Sequence, residues 1–198
     1  MLAMRRLRPG GAVLVLLAAV FGMTSAAAAA ERLVRLDAVL AKGGEPVYDA
    51  MAIGVWRMQD GEPVERIAER HAAPAEVALD PGEYRIQAVY GKARRVTDIT
   101  VAPDGAGRRT INLEAGRVRL KLLDRPGGEA VASPVAWEVR RYRRGADPGR
   151  KVAALTAEQP GLWLAAGWYE VAARYRGRTV EHVVEVSAGQ TLTYSIVL

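Results

Sequence analysis

The sequence predicts an all-β protein, two tandem antiparallel β-sandwiches behind a cleaved signal peptide. Three observations carry that prediction. One turn-plus-strand stretch occurs twice at a constant spacing. Short runs rich in valine, isoleucine and aromatic residues alternate with Gly, Pro and Asp clusters. The amino end has the layout of an export signal.

That amino end comes first in the chain. Residues 1–30 have a basic head (Arg5, Arg6, Arg8), an apolar run from Ala12 to Phe21, and an alanine tract that puts Ala28 and Ala30 at minus three and minus one before Glu31. The apolar run falls short of the roughly 20 residues that cross a bilayer, so cleavage is expected, with no transmembrane anchor left behind. The chain has no cysteine, hence no lipid-attachment site and no disulfide. A periplasmic or secreted protein of this kind must be held together by its core alone.

Export changes the charge argument. The full chain has 28 basic and 22 acidic residues; three arginines leave with residues 1–30, so the remainder carries 25 against 22, or +3. Residues 31–115 hold 12 basic and 14 acidic side chains, a balance of −2, and residues 116–198 hold 13 and 8, a balance of +5. Such weak overall basicity argues against nucleic acid as a partner, while the second half suits an anionic one.

Two copies of one unit fill residues 31–115 and 116–198. Leu79, Gly82, Tyr84, Ala88 and Tyr90 recur 85 positions on as Leu164, Gly167, Tyr169, Ala173 and Tyr175. Val34-Arg35-Leu36 and Gly43-Gly44-Glu45 recur at 84, and Trp56 finds a tryptophan, Trp137, at 81. The displacement shifts between blocks, where loops absorb insertions. The boundary falls near Glu114-Ala115-Gly116 with almost no linker, which limits freedom between the units.

Within a unit, Ala52 to Met58, Tyr84 to Tyr90, Val96 to Val101 and Thr110 to Leu113 read as strands. In the repeated stretch Tyr84, Ile86, Ala88 and Tyr90 share one face and Glu83, Arg85 and Gln87 the other. Pro63 to Ala73 contains good helix formers, but its counterpart around Pro148 to Thr156 carries Pro and Gly, so strand and loop are expected in both. The count is six or seven strands per unit, as in a small sandwich. Trp56 and Trp137 are expected to occupy matching places, one indole at the centre of each core.

Asp80-Pro81-Gly82-Glu83-Tyr84 resembles the Asp-x-Gly-x-Tyr turn of immunoglobulin-like domains, where the tyrosine hydroxyl bonds back to the upstream backbone. The second copy keeps Gly167 and Tyr169 but has Ala165 for the aspartate, and Ile86 and Val171 stand where antibody domains carry cysteine. The resemblance is therefore to the general sandwich, immunoglobulin-like or transthyretin-like. The wider pattern, a Trp strand followed by Leu-x-x-Gly-x-Tyr-x-x-x-Ala, is similar to tandem repeats attached to some bacterial von Willebrand factor A-type domain proteins. The A-type domain's own Asp-x-Ser-x-Ser is missing, and the resemblance implies no catalytic residue.

The residues offer little chemistry. His71, read as lying in a polar loop, and His182, read as a strand-end residue, have no cysteine partners and no expected metal. No serine sits in a nucleophile motif, Glu181 and Glu185 alternate as on a solvated strand face, and neither Gly-Gly pair opens a phosphate loop. No enzyme activity and no cofactor are expected. One asymmetry between the copies stands out. Arg140, Arg141, Tyr142, Arg143 and Arg144 end the strand that leaves Trp137, and Trp168, Arg174 and Arg176 share the outward parity of the second tyrosine strand. Arginine forks and exposed aromatic rings suit a protein or anionic envelope polymer. The same arginines also suit a solvated edge that blocks strand-to-strand aggregation. The expected function is a non-catalytic exported interaction or scaffold protein acting through its second unit. The alternative is a two-domain periplasmic chaperone that captures a client strand.

Overall fold

The computed structural model of the chain describes residues 32–104, 107–145 and 148–198, and every regular element in it is a β-strand. The expected signal peptide lies outside the described residues. The first unit contains β1 (Arg32–Val39), β2 (Ala50–Gln59), β3 (Glu62–Ala72), β4 (Ala75–Leu79), β5 (Gly82–Tyr90), β6 (Ala93–Val101) and β7 (Gly107–Asn112). The second contains β8 (Ala115–Leu123), β9 (Val135–Arg141), β10 (Lys151–Ala157), β11 (Gly161–Ala165), β12 (Gly167–Tyr175), β13 (Arg178–Val186) and β14 (Thr191–Val197).

Each unit pairs a three-stranded sheet with a four-stranded one. The orders are β4-β1-β7 and β3-β2-β5-β6 in the first unit, and β11-β8-β14 and β10-β9-β12-β13 in the second. Pairing is antiparallel apart from one pair per unit, β1 with β7 and β8 with β14, where the last strand runs parallel to the first. Alternation then dictates the cores. Inward residues such as Val34, Leu36, Ile53, Val55, Tyr84 and Ile86 are buried in the first unit, and Val118, Leu120, Val135, Val139, Tyr169 and Val171 in the second.

The two tyrosines close their corners as the motif implies. Tyr84 Oη–H donates to Asp80 O at 2.9 Å, and Tyr169 Oη–H donates to Ala165 O at 2.7 Å. This bond survives loss of the aspartate in the second copy because the acceptor is a backbone carbonyl; what the second corner lacks is the carboxylate that pairs with Arg57 Nη2 at 3.2 Å in the first.

The tryptophan match is corrected by the register. Trp137 lies opposite Ala173, whereas the residue opposite the equivalent Ala88 is Ile53. Trp56 lies opposite Arg85, as Arg140 lies opposite Glu170. Equivalence therefore holds at 84 throughout this strand, pairing Ile53 with Trp137 and Trp56 with Arg140. Trp137 is 2% exposed in the second core, and its Nε1–H donates to Ala157 O at 2.9 Å. Trp56 is on the outer face of the first unit, half-buried against the sheet. Only the second unit has an indole at its centre.

The units meet through side chains as well as the chain. Trp163 and Ala165 of β11 pack against the hydrophobic core of the first unit, and Ala115 at the start of β8 is buried in it. Lys92 N–H donates to Trp163 O at 2.9 Å and Ala166 N–H to Glu114 O at 2.7 Å.

Candidate partner-binding surface

The second unit's four-stranded sheet turns one face to its core and the other to solvent. On β9 the inward positions are Val135, Trp137 and Val139; on β12 they are Tyr169, Val171 and Ala173. The outward set therefore includes Arg140 and Tyr142 on one strand and Trp168, Glu170 and Arg174 on the next. Tyr142 N–H donates to Trp168 O at 3.0 Å, which carries the ladder one step past β9 and sets the two aromatic residues opposite each other. Tyr142 is 42% exposed and Trp168 52%. Cross-strand neighbours on one face have Cβ atoms about 5 Å apart, so these two side chains project from adjacent points of one exposed platform.

The basic residues divide. Arg143 and Arg144 follow Tyr142 as exposed loop residues. Arg140 is tied down, its Nε pairing with Glu138 Oε1 and its Nη1 donating to Gly149 O at 3.3 Å. Lys151 Nζ reaches the other Glu138 oxygen at 2.8 Å. Hydrogen bonds from Lys151 and then Arg140 hold the Glu138 carboxyl below its ordinary range.

Arg141 has the opposite parity. Its guanidinium lies 4.6 Å from the centroid of the Tyr169 ring and its Nη1 donates to Ala166 O at 3.1 Å. It belongs to the tyrosine corner rather than to the outer surface, just as Arg57 sits over Tyr84 at 6.0 Å in the first unit. Burial pushes the Tyr169 phenol up, with Arg141 opposing.

Arg174 and Arg176 are not part of the platform. Arg174 lies six residues along β12 from Trp168, about 20 Å at strand rise, and its Nε contacts Thr179 Oγ1 at 3.4 Å. Arg176 follows in a turn at φ 47°, its guanidinium 5.1 Å from the Tyr175 centroid. The structure thus sets Tyr142 opposite Trp168, with Arg140 two residues before and Arg143 and Arg144 next in the chain, and places Arg141, Arg174 and Arg176 elsewhere.

Among the described residues no group of three or more His, Cys, Asp or Glu side chains is placed to hold a metal. His71 is exposed on β3 rather than in a loop, and His182 is exposed in the middle of β13 rather than at its end. Two aromatic residues at the joint and on the outer face of the first unit, Trp163 and Trp56, were not among the expected site residues. Trp163 has Ala78 as its counterpart at 85, a substitution visible in the repeat.

Comparison with known proteins adds the following. Residues 117–198 match the model of a Rhizobiales growth-associated tandem repeat domain. No curated protein sequence matches the chain. Similar solved structures include the Bacillus anthracis TIE protein, at 12% identity over 84% of this chain and 34% of that one, with a TM-score of 0.34. A Streptococcal ancillary pilin gives 12% identity over 84% and 62%, with a TM-score of 0.38. A shaft pilin from Lactobacillus rhamnosus GG gives 8% identity over 84% and 96%, also at 0.38. The chain spans about a third of the length of the first of these and under two thirds of the second.

Proposed function

We propose that the chain is a non-catalytic exported binding module that holds an anionic partner, protein or polymer of the cell envelope, against its second unit, with units at 31–115 and 116–198. The observation that carries this reading is the Tyr142–Trp168 pair, two large exposed aromatic residues facing each other across β9 and β12 with Arg143 and Arg144 next in the chain. Exposed tryptophan and tyrosine are costly to leave in water, and they combine apolar area with few rotatable bonds, which favours contact with a partner. The adjoining arginines supply charge with fork geometry for carboxylate or phosphate. The export expectation rests on the layout of residues 1–30.

Capture of a client strand fits the geometry less well. It requires a cleft between the units, and that junction is filled by Trp163 against Tyr90.

The test is retention of the purified chain on immobilised envelope material across a salt gradient. Replacing Trp168 and Tyr142 by serine is expected to lower retention at every salt concentration. Replacing Arg143 and Arg144 by serine is expected to lower the salt needed for elution. Retention unchanged by both pairs would overturn the reading.

A further inference from the structure

The outer face of the first unit holds a second aromatic site of different construction. Trp56 and Gly54 are two apart on β2 and share a face, and the indole folds back over the glycine. A Cβ at residue 54 would stand 2.2 Å from Cη2 and 2.5 Å from Cζ3 of Trp56, so no other residue leaves room for the ring in that position. Glycine in a strand interior weakens the strand, and here it permits an indole to lie flat on the sheet.

Beside this ring is a hollow of about 290 Å³, walled by Trp56, Pro63, Arg85, Gln87, Arg94 and Val96. It spans the outer face of the four-stranded sheet, over β2 and β5 where Gly54 pairs with Gln87, with Pro63 on one edge strand and Arg94 and Val96 on the other. The backbone of β2 and β5 is already hydrogen-bonded on both sides, so a ligand seated over these two strands meets side chains and not a free strand edge. Recognition must come from side chains.

Their charges are unequal. Both carboxylate oxygens of Asp98 accept from Arg85, Nε and Nη2 each at 2.8 Å. Arg66, 5.6 Å from the Trp56 centroid, pairs with Glu69. Arg94 donates only to the neutral amide oxygen of Gln87, and among the described residues it forms no ion pair. The hollow therefore combines one uncompensated guanidinium, one amide and three apolar walls: indole, proline ring and Val96, which is 44% exposed.

We propose that this hollow binds an acidic saccharide, one hexuronic acid unit with its C–H face toward Trp56 and Val96, its hydroxyls on Gln87 and its carboxylate on Arg94. A simple anion would satisfy Arg94 and leave the indole and Val96 unused; a neutral sugar would leave the guanidinium uncompensated. The site is independent of the platform on the second unit, so either stands if the other fails.

The probe is an α-1,4-linked galacturonic acid trimer titrated into the purified chain by calorimetry, beside a glucose trimer and a glutamate hexapeptide. The galacturonate trimer is expected to bind at least about tenfold more tightly than either, a gap of about 1.4 kcal/mol. Arg94→Gln, a change at an exposed side chain, is expected to weaken binding about fivefold and to flatten its salt dependence. Gly54→Ala, which displaces the ring, is expected to weaken it about tenfold with the strand signal in circular dichroism retained, and Trp168→Ser to leave it unchanged. Absence of binding, equal binding of the hexapeptide, or an affinity untouched by Arg94→Gln overturns the proposal.

Discussion

Trp163 of β11 lies against Tyr90 of β5, ring centroids 4.9 Å apart and planes at 42°, so the two units share an aromatic contact. The Arg117 guanidinium is 5.7 Å from the same indole centroid. Gly91 makes the approach possible: it has φ 59°, and a Cβ there would stand 2.8 Å from the Trp163 Cβ. Trp163→Ala is expected to cost about 1–3 kcal/mol, below the figure for a fully buried ring because the indole is only partly covered. It should also split one unfolding transition into two. Calorimetry of the full chain measures both, and a single unshifted transition would show that the joint contributes nothing.

The same joint should loosen in alkali. Tyr90 Oη–H donates to Asp49 Oδ2 at 2.8 Å, and burial, then that hydrogen bond, pushes the phenol up to about 12. Because the folded value exceeds the unfolded value of about 10, the stabilisation is complete below pH 10 and fades as pH rises from 10 toward 12. Asp49 behaves oppositely. The Tyr90 hydrogen bond, followed by one from the Ala50 amide, lowers its carboxyl, so its contribution is present above the ordinary carboxylate range and is lost as pH falls through the lowered value. Urea midpoints at pH 9, 10 and 11 should fall for the wild-type chain, and the fall should be smaller in Tyr90→Phe. Parallel slopes in the two proteins would remove Tyr90 as the cause.

Trp137 and Trp56 should answer truncation differently. Trp137→Ala empties the centre of the second core and leaves Ala157 O without its donor, a loss of about 3–5 kcal/mol. Trp56→Ala removes a ring from an outer face, and a loss below about 2 kcal/mol is expected from its smaller buried area. Chemical denaturation of the two variants gives the comparison, and equal losses would contradict the assignment of the rings to different faces.

The duplication and the corners were legible because they depend on local chemistry. A turn with Gly82 or Gly167, a tyrosine two residues later and alternating apolar residues each specify their own geometry. Matching Trp56 with Trp137 failed for a physical reason. A core position selects volume in its own surroundings, so Ile53 serves where the first unit also buries Met51 and Tyr90, and Trp137 serves where the second needs one large ring. Identity of residue type then points to the wrong register. The arginine cluster misled in another way. Consecutive residues on a strand face opposite sides, so Arg140 and Arg141 cannot act as neighbours, and outward parity alone does not reveal that Arg174 lies far along β12 from Trp168. The paired exposure of Tyr142 and Trp168 needed the β9–β12 register, which the sequence does not contain.

That division of the arginines yields the sharpest test. Arg141 rests on Tyr169 and donates to Ala166 O, so its removal strips the corner of a cation–π contact and a backbone hydrogen bond. Such contacts are each worth about 0.5–1.5 kcal/mol when partly desolvated. Arg141→Ala is therefore expected to lower stability by about 1–2 kcal/mol, and Arg141→Lys to restore only part of it, because an ammonium cannot both lie flat on the ring and reach the carbonyl. Arg143 and Arg144 are exposed beyond the end of β9, and serine there is expected to change stability by less than about 0.5 kcal/mol. Binding should show the reverse order: the Arg143 and Arg144 replacements weaken retention on envelope material, while Arg141→Lys leaves it unchanged below the melting temperature. If Arg141→Lys instead abolishes retention at wild-type stability, the binding surface reaches around the corner and the platform has been drawn on the wrong face.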